Sequence, residues 1–343
     1  MAQVVLALFL LGVLVTFHEL GHFLAGRLMG VYIHEFAVGF GPVLYSKQKE
    51  ETRYTLRLIP VGGFTRFAGE EGPNREEDKA IPKERILSSL SPGRRAFVIA
   101  AGPIFNLLVA SLAFFLVFSF VGINTPTTRI LEVMPGYPAE TAGLRAGDVI
   151  QSVGGTPVDT WDEMVAIIQT RAGQTTEVGV ERDGEPVLVN MTPIEMNGVG
   201  VIGVRPTLQL TRVGLLKGLI SGFSETYHVS VAWITGIIGM IVGKVAPEVT
   251  GPVGITQILG EAARTGLAQL FYIVGILSAN LALFNLMPFP ALDGSRLIFF
   301  GIEAIRGKPI DPEKEGLVHF FGFFLLMALF VFITFKDILR LVR

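Results

Sequence analysis

From Ala96 to Thr128 no residue carries a formal charge, and the same holds from Met1 to Phe17 and from Thr265 to Leu292. A fourth apolar run, from about Leu317 to Phe335, has His319 as its only ionisable group. A helix needs roughly 20 consecutive apolar residues to cross a bilayer. In lipid every backbone polar group must be satisfied within the segment, so runs of this length read as membrane-spanning helices. The first run continues past a charged cluster to Met29. It has no basic leader and no small-x-small cleavage site, so it is expected to remain a span. Composition agrees: half of the 343 residues are apolar and only 17% are charged, against roughly 25% in a soluble domain. This excludes a disordered chain, a collagen-like chain and an ordinary soluble globule. A net charge of −2 offers no basic field to nucleic acid. With no cysteine, disulfides, thiolate metal sites and a cysteine nucleophile are excluded, leaving His, Asp and Glu as possible ligands.

Two polar blocks separate the runs. In residues 31–94, Tyr54-Thr-Leu-Arg-Leu58 alternates as a half-buried strand does, Gly62-Gly63 breaks the pattern and Phe64-Thr-Arg-Phe67 resumes it. One or two short β-hairpins at the membrane surface are expected, then a charged, mobile stretch from Glu70 to Arg85. Residues 125–206 hold short β-like runs at Arg129–Val133 and Thr176–Val180 around a helical pattern from Trp161 to Thr170, and Arg182-Asp-Gly-Glu185 reads as a two-residue hairpin turn. This block is long enough for one small soluble domain. A further stretch, Val213–Val245, is apolar but carries Lys217, Glu225, His228 and Lys244. Residues 31–95 contain eleven Lys and Arg, whereas residues 123–212 contain six against eleven Asp and Glu. The positive-inside rule therefore puts the first block in the cytoplasm and the second outside. Lys336, Arg340 and Arg343 disagree mildly.

His18-Glu-Leu-Gly-His22 fits H-E-x-x-H. On a helix, positions i and i+4 share a face, so both imidazoles can grip one ion while Glu19 stands beside it as a proton acceptor. Ionisable groups in an apolar run cost roughly 2.5–3.5 kcal/mol each at the helix centre, which argues for a use. Zinc suits neutral imidazole and takes three protein ligands at a catalytic site. The strongest third candidate is Asp293, in Asn285-Leu-Met-Pro-Phe-Pro-Ala-Leu-Asp-Gly294. Pro288 and Pro290 end the preceding helix and free backbone groups at membrane depth, which is tolerated only beside protein or a wet cavity. The competing reading makes Asp293 a cap of the next helix. His34, His228 and His319 read as surface or satisfied core residues, and Glu225 as part of the polar face of an interfacial helix.

Together these segments resemble the site-2 protease family of intramembrane zinc metalloproteases, in its RseP-like branch of peptidase family M50. The resemblance rests on His18–His22 in the first span, Ala101-Gly-Pro-Ile-Phe-Asn106 opening the second, and the Asn285–Gly294 segment, which matches N-x-x-P-x-P-x-L-D-G. Pro138-Ala-Glu-Thr-Ala-Gly-Leu-Arg-Ala-Gly-Asp-Val-Ile150 resembles the PDZ domains of bacterial proteases. Nearly the whole chain is covered. One departure is that many such proteins carry two tandem PDZ domains and only one fits here.

The resemblance implies a polytopic α-helical membrane protein with four transmembrane helices, a membrane-associated β-hairpin region and one inserted extracytoplasmic PDZ domain (α+β). Its parts would be the first span with H-E-x-x-H (1–30), the cytoplasmic-side β-region and charged loop (31–94), the second span (95–122), the PDZ domain (125–206), an amphipathic or re-entrant segment (207–264), the third span (266–294), a cytoplasmic loop (295–316) and the fourth span (317–337). His18, His22 and Asp293 would bind one Zn²⁺ per chain, with Glu19 as the general base of a zinc metalloendopeptidase. Asn285, Pro288 and Pro290 would lie against substrate, and Asn106 would either do the same or make a helix–helix hydrogen bond. The Tyr54–Phe67 strands would add an unwound substrate strand, and backbone amides around Gly136 and Gly143 would hold a peptide carboxylate. Expected substrates are single-span membrane proteins already trimmed by a site-1 protease, of the anti-sigma-factor or remnant-signal-peptide class, in a bacterial inner membrane and with no nucleic-acid partner. For His18 and Asp293 to share an ion, their spans must run in the same direction, so Val213–Val245 is expected not to cross. The rival reading, a catalytically inactive membrane PDZ adaptor, has no need of Glu19. A metal transporter would need ionisable groups in several spans, and the second has none.

Overall fold

Up to His18, helix α1 (Ala2–Leu28) is apolar around its whole circumference, so nothing on it selects a water-facing side. Val5 and Phe9 point outward, 65% and 56% exposed, as lipid-facing side chains do. The computed structural model describes residues 2–70, 76–244 and 250–342. They form two units: Met1–Val121 with Val213–Arg343, and the insert Gly122–Arg212.

Strands β1 (Ile33–Lys49) and β2 (Thr52–Phe67) are much longer than the short hairpins expected. Positive φ angles at Gly39 and Gly62 let each strand bend and continue through what reads as a break. Residues 35–38 thereby gain partners on both sides: Glu35 faces Arg66 and Arg53, and Val38 faces Gly63 and Leu56. Among the described residues, 63–67 pair on one side only. Their segment lies against α1, where Gly12 leaves room for the Pro60 carbonyl and the Thr65 hydroxyl donates to the Glu19 carbonyl at 3.0 Å. Phe23, Val31, Ile33, Phe67 and Val98 close a core between this sheet and the helices. The buried Glu35 accepts from Thr55 and Arg57. Burial alone would raise its carboxyl, but these two donors hold it below the ordinary range.

The stretch expected to be mobile is tied down where it is described; residues 71–75 lie outside the described residues. Asp78, 5% exposed, accepts from the Gly69 amide at 3.0 Å and meets His34 Nε2 at 2.7 Å. Helix α2 (Pro92–Leu116) follows and continues through a wider turn, Val117–Val121.

The insert is built on a sheet of order β10-β3-β4-β6-β7. Its elements are β3 (Ile123–Val133), α3 (Pro138–Thr141), β4 (Val149–Val153), β5 (Thr156–Pro157), α4 (Trp161–Gln169), β6 (Thr176–Arg182), β7 (Glu185–Met191), β8 (Ile194–Met196), β9 (Val199–Val201) and β10 (Val204–Thr211). The expected runs fall in β3 and β6. The Asp-Gly turn takes positive φ at Asp183 and Gly184, and α4 opens on a Thr160–Glu163 capping box. The block is wider than 125–206, because β3 and β10 pair from Ile123↔Thr211 to Val133↔Val204. Ile130, Ile150, Met164, Val178 and Val180 form its own core.

Helix α5 (Leu215–Ile241) fills most of the ambiguous stretch; Val245 lies outside the described residues. Gly218 and Gly222 pack on Ser119 and Ser111 of the preceding helical segment, and Thr226 bonds Ser111 at 2.9 Å. Glu225, expected on a free polar face, is half-buried and accepts from Tyr272 at 2.5 Å, because the small residues beside it bring α5 close to its neighbours. Helix α6 (Pro252–Thr265) precedes α7 (Leu267–Leu286), which stops before the two prolines as expected. Residues 293–306, expected as the end of a span and the start of a loop, form helix α8 (Asp293–Arg306), closed by Gly307 in the left-handed region. The chain then enters α9 (Pro312–Val342), whose Asp337 carboxylate accepts from the Gly251 and Gly254 amides. Among the described residues, four helices are long and apolar enough to cross a bilayer: Gln3–Leu28, Pro92–Val121, Leu267–Leu286 and Glu313–Arg340.

Candidate active site and metal centre

One helical turn brings His18 and His22 to the same face of α1, 7% and 6% exposed. The His22 Nδ1–H donates to the Val98 carbonyl at 3.0 Å, which leaves the Nε2 lone pair free. His18 Nε2 lies 3.1 Å from His22 Nε2, and Asp293 Oδ2 lies 3.1 Å and 3.4 Å from the two. Tetrahedral zinc with bonds of about 2.0–2.1 Å holds its ligand atoms about 3.3–3.4 Å apart. The three atoms, 3.1–3.4 Å apart, lie close to that spacing. Asp293 Oδ2 is buried with no hydrogen-bond donor, so this donor set fits a cation. Asp293 is the first residue of α8, but the cap position is Leu292 and no side chain makes a capping hydrogen bond, so the competing reading of Asp293 as a cap does not hold.

These ligands line a cavity of about 390 Å³, together with Glu19, Thr65 and the rings of Phe64 and Phe67. The single-sided segment 63–67 thus forms one wall, and the Gly63 backbone lies beside the Glu19 side chain. Glu70 and Arg296 belong to the same wall and form an ion pair at 2.7 Å, which joins the end of β2 to the ligand-bearing helix α8.

The sequence expectations divide here. His18, Glu19, His22 and Asp293 come together. Asn106 does not face the cavity; it is fully buried behind His18, its amide 3.3 Å from Nδ1. The atom facing Nδ1 is the Asn106 amide nitrogen; when His18 offers Nε2 to a cation it carries its proton on Nδ1, and the amide must turn over so that Oδ1, without a donor among the described residues, accepts it. Asn285, Pro288 and Pro290 do not line the cavity, whereas Ala291 and Leu292 do. In the insert the expected carboxylate-binding amides are already engaged: the Gly136 N–H donates to the Glu140 carboxylate and the Gly143 N–H to the Glu140 carbonyl. The short α3 turn between them supplies its own acceptors.

Sequence reasoning missed Gly102, where a methyl group would overlap the His22 ring and touch His18. Its only signal was its place in the Ala101–Asn106 motif. It also discounted His319 of α9, which lines the cavity, although this is the only ionisable group in the fourth run.

A His-Glu-x-x-His helix and a half-buried aspartate, set among helices long enough to span a bilayer, define a membrane metalloprotease centre. The chain belongs to peptidase family M50, whose profile matches residues 6–329. It is 32% identical to the zinc metalloprotease RasP of Oceanobacillus iheyensis, over 99% of this chain and 100% of that one, in an alignment of 425 positions. It is likewise 32% identical to the regulator of sigma-W protease RasP of Bacillus subtilis, over 98% of each. Among solved structures, the PDZ domain of an SdrC-like protein from Listeria monocytogenes aligns at 21% identity and a TM-score of 0.22, covering 24% of this chain and 90% of that domain. The protein is a multi-pass membrane zinc metalloprotease.

Proposed function

We propose that this protein cuts peptide bonds inside the membrane segments of single-span proteins, as the last step of regulated intramembrane proteolysis. One observation carries this reading: the one-sided strand 63–67 runs along the wall of the cavity that holds His18, Glu19, His22 and Asp293. A transmembrane helix hides its amides. An unwound segment laid on this edge would exchange its helical hydrogen bonds for ladder bonds and pass the catalytic residues extended.

Zinc, one ion per chain, would supply Lewis acidity to the attacking water and the scissile carbonyl. Glu19 would take the proton of that water and pass it to the leaving nitrogen. Val98 holds His22 in the tautomer that leaves Nε2 free, and Asn106 would do the same for His18 with its Oδ1 turned to Nδ1.

The substrate class is remnant signal peptides or anti-sigma factors first trimmed by a site-1 protease; the name of the Bacillus subtilis relative favours the second. The membrane is the bacterial inner membrane, with the insert outside the cell. There it would act on trimmed ends as a PDZ domain does, either by binding a C-terminus or by excluding bulky ectodomains. His18 and His22 lie in the C-terminal half of α1 and Asp293 follows the C-terminus of α7, so the two helices would run in the same direction, with α2 as the crossing between them. On this reading α5 does not cross.

The test is cleavage of a tagged single-span polypeptide in proteoliposomes. Glu19→Gln should lower the rate by about 10²–10⁴-fold and leave zinc content unchanged. Undiminished cleavage by that variant would refute the assignment.

A further inference from the structure

His319 stands on α9, about two turns from the helix start, in a run with no other ionisable group. Its Nδ1 accepts the Ala291 amide at 3.0 Å. Ala291 holds φ +77°, a left-handed conformation that a side chain disfavours, two residues before Asp293. A neutral imidazole that accepts at Nδ1 carries its proton on Nε2. That atom is buried and, among the described residues, has no hydrogen-bond partner. The nearest carboxylate oxygen, of Glu315 one turn earlier, is 3.8 Å away and beyond hydrogen-bond reach. The ring, edge-on to Phe299, belongs to the wall of the metal cavity. A buried N–H donor without an acceptor is costly unless something is to occupy it, and the cavity it borders is where a peptide carbonyl would lie.

We propose that His319 is a catalytic residue: its Nε2–H donates a hydrogen bond to the carbonyl oxygen of the scissile peptide as negative charge builds there. The proton stays on Nε2 throughout. The same ring, through Nδ1, holds the loop that delivers Asp293. This rests on the protease reading above, and the test separates the two.

Two variants distinguish the ends of the ring. His319→Asn keeps an acceptor near the Nδ1 position and removes the Nε2 donor. His319→Gln places an amide N–H near the Nε2 position. In detergent-solubilised full-length protein, three quantities are measured: zinc content, kcat on the tagged single-span polypeptide, and affinity for two leucine-rich probes. One probe is a peptidyl phosphonamidate, whose tetrahedral oxygens stand for the reacting carbonyl. The other is a peptidyl thiol, which lacks them. His319→Asn should keep its zinc and its thiol affinity, lose about 10²-fold in kcat and lose phosphonamidate affinity in parallel. His319→Gln should recover to within about tenfold of the parent.

Loss of zinc in His319→Asn would overturn the proposal, since the residue would then only position Asp293. Unchanged phosphonamidate affinity in that variant, or equal loss in both variants, would overturn it too. If the parent protein bound neither probe, the metalloprotease reading would itself fail and take the proposal with it.

Discussion

Gly102 contributes no side chain, yet it sets where both ligand rings can lie. Gly102→Ala should push the His22 ring off the centre and lower zinc content at least tenfold. Metal analysis of the purified protein checks this, with Gly93→Ala, which has open space around it, as the control. The contrast with the ligands explains what a sequence can reveal at this scale. Ligand chemistry is written in residue type and spacing, so His18, Glu19 and His22 stand out on one helix. Asp293 stands out because a charge in an apolar run needs a reason. Gly102 and Asn106 act through what packs on them across a helix interface, and no pattern within their own helix records that. Gly136 and Gly143 show the converse: the residues suit an anion-binding turn, but Glu140 already satisfies their amides.

The element whose stability is easiest to isolate is the insert sheet. Asp148, 1% exposed, takes a two-pronged bond from Arg182 at 2.7 and 2.8 Å and a third from the Arg145 amide. Burial alone would raise its carboxyl, but these donors hold it below the ordinary range. The folded value therefore lies below the unfolded one, near about 3.9. The contribution is complete above that pH and is lost as pH falls through the lower folded value. Asp148→Asn should cost about 3 kcal/mol at neutral pH, and its deficit against the parent should shrink below about pH 4. Urea unfolding of residues 122–212, followed by Trp161 fluorescence, measures both. A deficit independent of pH would remove the ionic explanation. The alternating strands and the capped helix of this sheet were readable because local pattern and local structure coincide there. The bent ribbon of β1 and β2 and the helix α8 were not, because glycine bends and a ligand at a helix start look like interruptions in a linear reading.

For the molecule as a whole, the absence of cysteine makes topology measurable, since any introduced thiol is the only one. With a membrane-impermeant maleimide on intact cells, Glu185→Cys and Lys244→Cys should label from outside, and Lys308→Cys only after permeabilisation. Labelling of Lys244→Cys from the cytoplasmic side alone would make α5 a fifth crossing and break the parity that unites His18 with Asp293. The pairing of Ile123 with Thr211 has its own consequence. Chain entering and chain leaving the insert stand side by side, about 5 Å apart. Whatever is folded beyond that doorway, its two attachment points span the same gap. The insert is a cassette, free to be lengthened, doubled or excised over evolutionary time while the catalytic frame keeps its geometry.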